Sequence, residues 1–513
     1  MVLMRKFRLF LPVGSCATLL AGMLLFFPTG STADSVVTVN ARENRGAWEG
    51  WGCSLSWWGN GIGGTAYEHL YSDLFFTQNS VPFMGKPLPG LGLNIVRYNV
   101  GGSSPVAVGA AVEKVPATLP WYKKMDGYWI NWYSTDPNST SWDWSRDRGQ
   151  RSILQAALAR GVNHVELFAN APMWWMTDKK SPDGGALQSW NRRDFARYIA
   201  AVSKHASDRW GVPVDDVEMF NEPSAGWWNY PMGQEGCNIP VVEQKEVLGD
   251  LREELNARGL GSVGISASDE NAISEALTTN QYFQGQTVSV SGQPKTVASL
   301  VSKVNVHGYS GLAPWTDNTA RQALRQAVGT KRLWMSEFGD GEGSGKVLAR
   351  QIIDDLTYLR PTAWIYWQPV EPYSGWGFVN GNYATSAAMP DRGAPTWVYT
   401  KYYVMAQFTR FLRPGAQILG CSDPNSVCAY DSSHRRYILI TLNSGDAQAI
   451  HCDLSGLPAL APNASVTVTN MSGPKTFKPS QIAVRHNSFT LNAEANSIYS
   501  LTFNLAPRVK VHQ

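Results

Sequence analysis

Between residues 47 and 395, short apolar runs rich in β-branched and aromatic residues alternate with longer stretches of helical periodicity. Eight such runs fall at 50–56, 94–98, 164–169, 217–221, 263–267, 303–307, 333–337 and 363–368, with helical stretches such as 151–160, 193–210, 242–258, 319–328 and 345–359 between them. Alternation of this kind is the pattern of βα units feeding a parallel sheet. Eight units over this length predict an α/β fold, a (β/α)8 TIM barrel enlarged by long loops. A doubly wound open sheet is the competing arrangement, but no Gly-x-Gly-x-x-Gly opens a helix after the first run.

Beyond about Tyr402 the period changes. Segments 437–442, 465–470, 481–485 and 498–505 alternate apolar with polar residues between Gly, Pro, Asn and Ser turns, which predicts a β-sandwich attached to the barrel. Segment 35–39 has the same character and could add a strand to it. The expected organisation is therefore a signal peptide at 1–33, an N-terminal strand segment at 34–46 joining the sandwich, a catalytic barrel at 47–395 and a C-terminal β-sandwich at 396–513. No linker or repeat separates these parts, so the two domains should pack closely.

Composition changes the picture in two respects. The N-terminus carries Arg5, Lys6 and Arg8, an apolar stretch at 9–27 and Ser31-Thr32-Ala33 before Asp34, which reads as a secretory leader. An uncleaved anchor is the alternative, against which stand Pro12, Gly14 and Ser15 within the stretch. Removing residues 1–33 takes the net charge from +3 to zero, and no basic run follows, which argues against nucleic acid or an anionic membrane as partner. A secreted, extracellular, monomeric protein is expected. The second respect is the 21 tryptophans, which offer many flat apolar faces.

Outside the leader, Cys53, Cys237, Cys421, Cys428 and Cys452 form an odd set that cannot pair completely. Cys421 with Cys428 could close a turn, and Cys53 with Cys237 could meet across the barrel mouth. No Cys-x-x-Cys or His-x-x-x-His spacing suggests zinc. Acceptor sequons stand at Asn138, Asn463 and Asn470.

In a barrel of this kind the reacting groups come from the C-terminal ends of the strands. Two carboxylates stand there: Glu222, in Asn221-Glu222-Pro223 after run four, and Glu337, in Ser336-Glu337-Phe338 at the end of run seven. Burial beside aromatic residues and beside each other can push two carboxyl pKa values apart, so that one holds a proton while the other attacks. Glycosidic bond cleavage needs that division of labour. For either glutamate alone a salt-bridged cap at the strand end is the plainer reading. Together they resemble the acid/base and nucleophile of the large clan of retaining glycosidases built on this barrel.

Within that clan the chain resembles glycoside hydrolase family 30 over about residues 35–505. The resemblance is carried by Gly50-Trp51-Gly52, by Asn94 to Gly102 in and after run two, by Ala169-Asn170-Ala171-Pro172-Met173-Trp174-Trp175-Met176, by Asn305 to Tyr309 and by Trp364 to Gln368. It implies Glu222 as acid/base, Glu337 as nucleophile and Asn221 as hydrogen-bond partner of the hydroxyl beside the anomeric carbon. It further implies that Arg97 and Tyr309 hold Glu337 ionised and that His307 orients the site or contacts a sugar hydroxyl. Trp367 would be the floor under the reacting ring, Trp174 or Trp175 a side wall, and Asn170 a further substrate contact. No metal and no organic cofactor are implied.

Departures from the family pattern refine the substrate. Glucosylceramide-cleaving members carry an aspartate soon after the Gly-Gly of run two, where this chain has Ser103 and Ser104, and an acidic residue near the end of run one, where it has Ser56, Trp57 and Trp58. The run from Gly50 to Trp58 is most similar to the endo-β-1,6-galactanase branch. Trp57 and Trp58 would then give aromatic surface for stacking on galactose. Trp227, Trp228 and Trp376 are candidate platforms for neighbouring sugars, while Ser268, Asp269, Glu270 and Glu371 are candidate readers at the rim. The expected activity is a secreted retaining hydrolase of polysaccharide or oligosaccharide, cutting β-1,6-galactan side chains of arabinogalactan. β-1,6-Glucanase, xylanase and glucosylceramidase are the alternatives within the family, and a non-catalytic carbohydrate-binding protein is the alternative outside it.

Overall fold

The computed structural model describes residues 35–309 and 317–507. The leader expected at 1–33 lies outside them. Eight parallel strands close into a barrel in chain order: Gly50–Ser54, Ile95–Asn99, His164–Phe168, Val214–Glu218, Gly264–Glu270, Lys303–His307, Arg332–Phe338 and Ala363–Tyr366. Strand eight closes on strand one through Tyr366 opposite Cys53, and strand five closes on strand four through Ser266 opposite Glu218. Strand four ends earlier than the apolar pattern suggested, so Met219 to Asn221 lie in the loop above the barrel. The glycine of strand one is forced by closure: a Cβ on Gly52 would lie 2.6 Å from Ile365 Cδ1 and 2.7 Å from the Ile95 carbonyl.

Side chains alternate across each strand, so the inward set is read at every second position. At the bottom Ile95, Trp334, Ala363 and Ile365 form a small apolar layer. Above it the interior turns ionic. Glu166 receives Lys303 at 2.7 Å and Arg97 at 2.7 Å, and Asp216 receives Lys303 at 3.1 Å. Barrels are usually filled by aliphatic layers; here a buried charge network fills much of the interior. Buried ions need partners at good geometry, and this requirement explains why charged residues interrupt strands that otherwise read as apolar.

Most of the tryptophans are structural. Trp51 turns outward onto Trp48 and Phe408 and donates to the Leu412 carbonyl at 2.7 Å. Trp129 stacks on Trp142 at 4.8 Å, Trp142 on Trp144 at 5.4 Å and Trp144 on His205 at 3.7 Å, a pile that pins the long connection after strand two against the barrel.

The remaining strands form one nine-stranded, mostly antiparallel sheet that doubles over on itself. Its pivot is Ser35–Ala47: residues 35–38 run parallel to Gln448–Asp453 in one layer, and residues 39–47 run antiparallel to Gln417–Cys421 in the other. Alternation again sorts the side chains. Tyr437, Leu439, Tyr499, Leu501 and Phe503 point between the layers, whereas Ile438, Ile440, Leu442 and Ile498 point toward the barrel and share its core. Helix Thr400–Thr409 fills that seam, with the Gln407 amide bonded to Thr469 and Ser500.

All five cysteines of the described residues are free thiols. Neither expected bridge is present. Cys53 is enclosed in barrel strand one, and Cys237 is buried in the loop pairing of Gly236–Asn238 with Asp183–Ala186. Cys421 and Cys428 do lie on adjacent strands, close enough that each thiol shifts the other's titration. No helix among the described residues is long and apolar enough to cross a membrane.

Candidate active site

Two irregularities in strand pairing build the mouth of the barrel. Between strands six and seven the register passes from Val306 opposite Met335 to His307 opposite Glu337, skipping Ser336. Between strands five and six it passes from Ser268 opposite Asn305 to Glu270 opposite Val306, skipping Asp269, whose φ is +56°. Each skip sends consecutive side chains to one face, so Ser336, Glu337 and Asp269 all reach the interior. Glu222 also has a positive φ, 50°, and its amide donates to the Asp269 carbonyl at 2.8 Å. Left-handed backbone at a non-glycine residue is costly and concentrates at functional sites.

The Glu222 and Glu337 side chains converge from strands four and seven. His307 Nδ1 lies 3.2 Å from Glu222 Oε1 and 3.5 Å from Glu337 Oε1, and ligand atoms of these three residues all lie within 4.8 Å of one another. Asn271 Nδ2 donates to Glu222 Oε1 at 2.7 Å, and Trp228 Nε1 donates to the Glu222 carbonyl at 2.8 Å. The Tyr309 hydroxyl donates to Glu337 Oε1 at 3.3 Å, and Arg97 Nη1 stands 3.5 Å from Glu337 Oε2. Arg97 is itself held by Glu166 and Asp269 and donates to the Ser336 carbonyl at 3.1 Å.

Burial pushes the Glu337 carboxyl up to about 7, with Glu222 adding to the rise while His307 and Arg97 pull it down. Arg97 and Tyr309 contact Glu337, but burial outweighs them, because a carboxylate enclosed on all sides loses hydration that two partners do not replace. Burial disfavours a charged His307, yet Glu337 and Asp269 overcome it and hold the imidazole well above its ordinary range. Burial would likewise raise Asp269, but Arg97 and His307 hold it well below the carboxylate range.

A cavity of about 220 Å³ opens over the pair. Asn170, Asn221, Tyr309 and Trp367 line it with the two glutamates, and Trp57 and Trp376 close its side. Residues lining it carry buried oxygens that accept no hydrogen bond: Asn170 Oδ1, Asn221 Oδ1, Glu235 Oε2 and Glu337 Oε2, the last with only the Arg97 ion pair at 3.5 Å. Unpaired buried acceptors are rare in folded proteins unless a ligand or water satisfies them. The site therefore suits a ligand rich in hydroxyl donors.

The family model for O-glycosyl hydrolase family 30 matches residues 34–377. A curated relative, the endo-β-1,6-galactanase of Hypocrea rufa, is 40% identical over 439 residues, covering 84% of this chain and 86% of that protein. The chain belongs to O-glycosyl hydrolase family 30. An exo-β-1,6-galactobiohydrolase of Bifidobacterium longum subsp. longum is 24% identical over 548 residues, covering 82% of this chain and 35% of that protein. Among solved structures, the catalytic domain of a family 30 xylanase from Talaromyces cellulolyticus superposes with a TM-score of 0.65 at 16% identity, over 92% of this chain and all of that one, and shows the shared fold. The protein is a glycoside hydrolase.

In this family 30 hydrolase, Trp57, Asn170, Asn221, Tyr309 and Trp367 meet Glu222 and Glu337 in one cavity, with Arg97 and His307 buried behind them. Trp58, Trp174 and Trp175 do not line it. Trp58 is fully buried against Phe75 and Phe76, and Trp175 donates to the Trp129 carbonyl and packs on the aromatic pile. Asp269 and Glu270, expected as rim readers, are fully buried: Asp269 braces Arg97 and His307, and Glu270 accepts from Ser224 and Thr279. Asn271, Gln234 and Glu235 line the cavity and had no distinguishing signal in the sequence. Asn271 only follows a buried strand end, and the other two come from the loop after strand four.

Proposed function

We propose that the protein is a secreted, retaining endo-β-1,6-galactanase that cuts the β-1,6-galactan side chains of arabinogalactan. The observation that carries this reading is the pair of carboxylates from strands four and seven, within 4.8 Å of each other across a cavity lined by unpaired acceptors. Separations of about 5 Å leave no room for a water between sugar and carboxylate, which favours covalent double displacement. The sugar preference rests on the likeness to the Hypocrea rufa galactanase.

In the first step the Glu337 carboxylate attacks the anomeric carbon while Glu222 gives its proton to the departing glycosidic oxygen. In the second, Glu222 takes a proton from water, the hydroxide attacks the same carbon, and Glu337 leaves with its electron pair. His307 and Arg97 place positive charge beside Glu337, which lowers the cost of its ionised form. Asn221 bonds the hydroxyl next to the reacting carbon, a contact that tightens as the ring flattens. Trp367 supplies the apolar surface under the ring.

Proton NMR of the earliest products from de-arabinosylated arabinogalactan tests the mechanism: β-anomers appear first, and α-anomers would exclude it. A panel adding β-1,6-glucan and xylan tests the sugar. Exclusive release from glucan would overturn the galactan assignment while leaving the chemistry in place. Secretion is tested separately, by an N-terminus at Asp34 in protein recovered from culture medium.

A further inference from the structure

A third acid, Glu235, lines the cavity over the two glutamates and takes no part in the double displacement. It comes from the loop after strand four and is 1% exposed. The loop is fixed on both sides of it. Asp183 accepts the Met232 amide at 3.0 Å, with the amides of Gly233 and Gln234 also turned to it. Gly236 then pairs with Asp183 in a space where a Cβ would lie 2.0 Å from the Trp228 ring. From the connection after strand two, the Met125 amide donates to Glu235 Oε1 at 3.1 Å. Oε2 is buried and has no hydrogen-bond partner.

Burial pushes this carboxyl well above its ordinary range; the Met125 and Gly102 amides pull it down, and Glu113 and Asp126 push it further up. Those two acids are themselves paired, Glu113 with Lys124 at 3.2 Å and Asp126 with Arg146, and Glu235 has no ion pair among the described residues. A buried carboxyl without a cation keeps its proton. With Oε1 accepting the Met125 amide, the proton belongs on Oε2.

We propose that Glu235 is a substrate-binding residue, a neutral carboxylic acid that donates from Oε2 to a hydroxyl oxygen of the sugar held in the catalytic cavity. The identity of that sugar rests on the galactanase reading. The other walls explain why a donor is needed there. Asn170 Oδ1 and Asn221 Oδ1 are unpaired and can accept from hydroxyls, but a buried hydroxyl also has lone pairs to satisfy. The contrast with Glu270 supports a ligand-facing role: that buried acid is satisfied inside the protein by Ser224 and Thr279, whereas Glu235 keeps one oxygen unpartnered in a residue that lines the cavity.

Glu235→Gln and Glu235→Met test this through kcat/KM on de-arabinosylated arabinogalactan. Gln keeps an acceptor for the Met125 amide and a donor for the sugar, and is expected to stay within about threefold of wild type. Met fills the space without a donor and should lose about tenfold or more, the factor that one broken hydrogen bond with a stranded partner supplies. A crystal structure of Glu337→Gln with β-1,6-galactotriose should place a Glu235 carboxyl oxygen within about 3.2 Å of a sugar hydroxyl, a contact that a purely structural role would not produce. Equal losses in the two variants, no loss in Glu235→Met, or a bound sugar out of reach of Glu235 overturns the proposal. The sugar assignment fails separately. If wild-type enzyme cuts β-1,6-glucan or xylan and not galactan, the galactanase reading falls, and the same two variants on the polymer that is cut still decide the role of Glu235.

Discussion

At the residue scale the protein sets two carboxyls side by side, and burial raises Glu337 against the pull of His307 and Arg97. Glu337→Gln keeps shape and removes the attacking oxygen. Turnover is expected to fall by about 10⁴-fold or more, while circular dichroism and melting temperature stay near wild type, because a buried neutral amide replaces a buried acid. The pH profile carries a second expectation. Glu337 must be ionised to attack, and its carboxyl is raised to about 7, so kcat/KM should fall as pH drops through about 7. Glu222→Gln removes a neighbouring charge that raises Glu337. With an activated aryl glycoside that needs no acid, the acidic limb of this variant should therefore move to lower pH. A limb that stays in place would show that Glu222 contributes nothing to the Glu337 titration.

At the scale of elements, the site is made by strand ends that break their own register. Without the skips at Asp269 and Ser336 the alternation of strands five and seven would carry Asp269 and Glu337 to the outer face. Asn271, just beyond strand five, ties that strand to the acid/base on strand four through its 2.7 Å bond to Glu222. Asn271→Ala leaves His307 as the side-chain partner of the Glu222 carboxyl among the described residues. Its kcat is expected to drop by about ten- to a hundredfold on galactan, in the range seen for lost orienting partners of reactive groups, and much less on an aryl glycoside with a good leaving group. A merely structural loss would lower both alike, so the comparison separates the two.

For the whole molecule, the barrel and the folded sheet share one apolar core, so they are expected to unfold together. Outward-alternating residues of the sheet join the barrel core, and Gln407 on the helix between them is fully buried and bonded to Thr469 and Ser500. Gln407→Ala strands hydroxyls in that seam and should cost about 1–3 kcal/mol, measured by urea denaturation, with kcat of the folded enzyme preserved because none of Gln407, Thr469 and Ser500 lines the catalytic cavity. Two separate unfolding transitions in the wild type would contradict this coupling.

Periodicity, turn residues and the positions of Glu222 and Glu337 after apolar runs were enough to indicate an eight-stranded parallel barrel, an attached sheet of mostly antiparallel strands and two acidic side chains at one rim. These features are local, and local chemistry dictates them: alternation of period two, helical spacing, and polar residues where a strand leaves the core. The aromatic residues were not separable in this way. Trp57 and Trp58 are neighbours in sequence with the same side chain, yet one lines the cavity and the other is walled in by Phe75 and Phe76. Asn271, Glu235 and the ionic filling of the barrel depended on register skips and on loops meeting from distant parts of the chain. Such contacts are set by packing among elements, where burial decides which side chains keep water and how far the Glu337 carboxyl is raised.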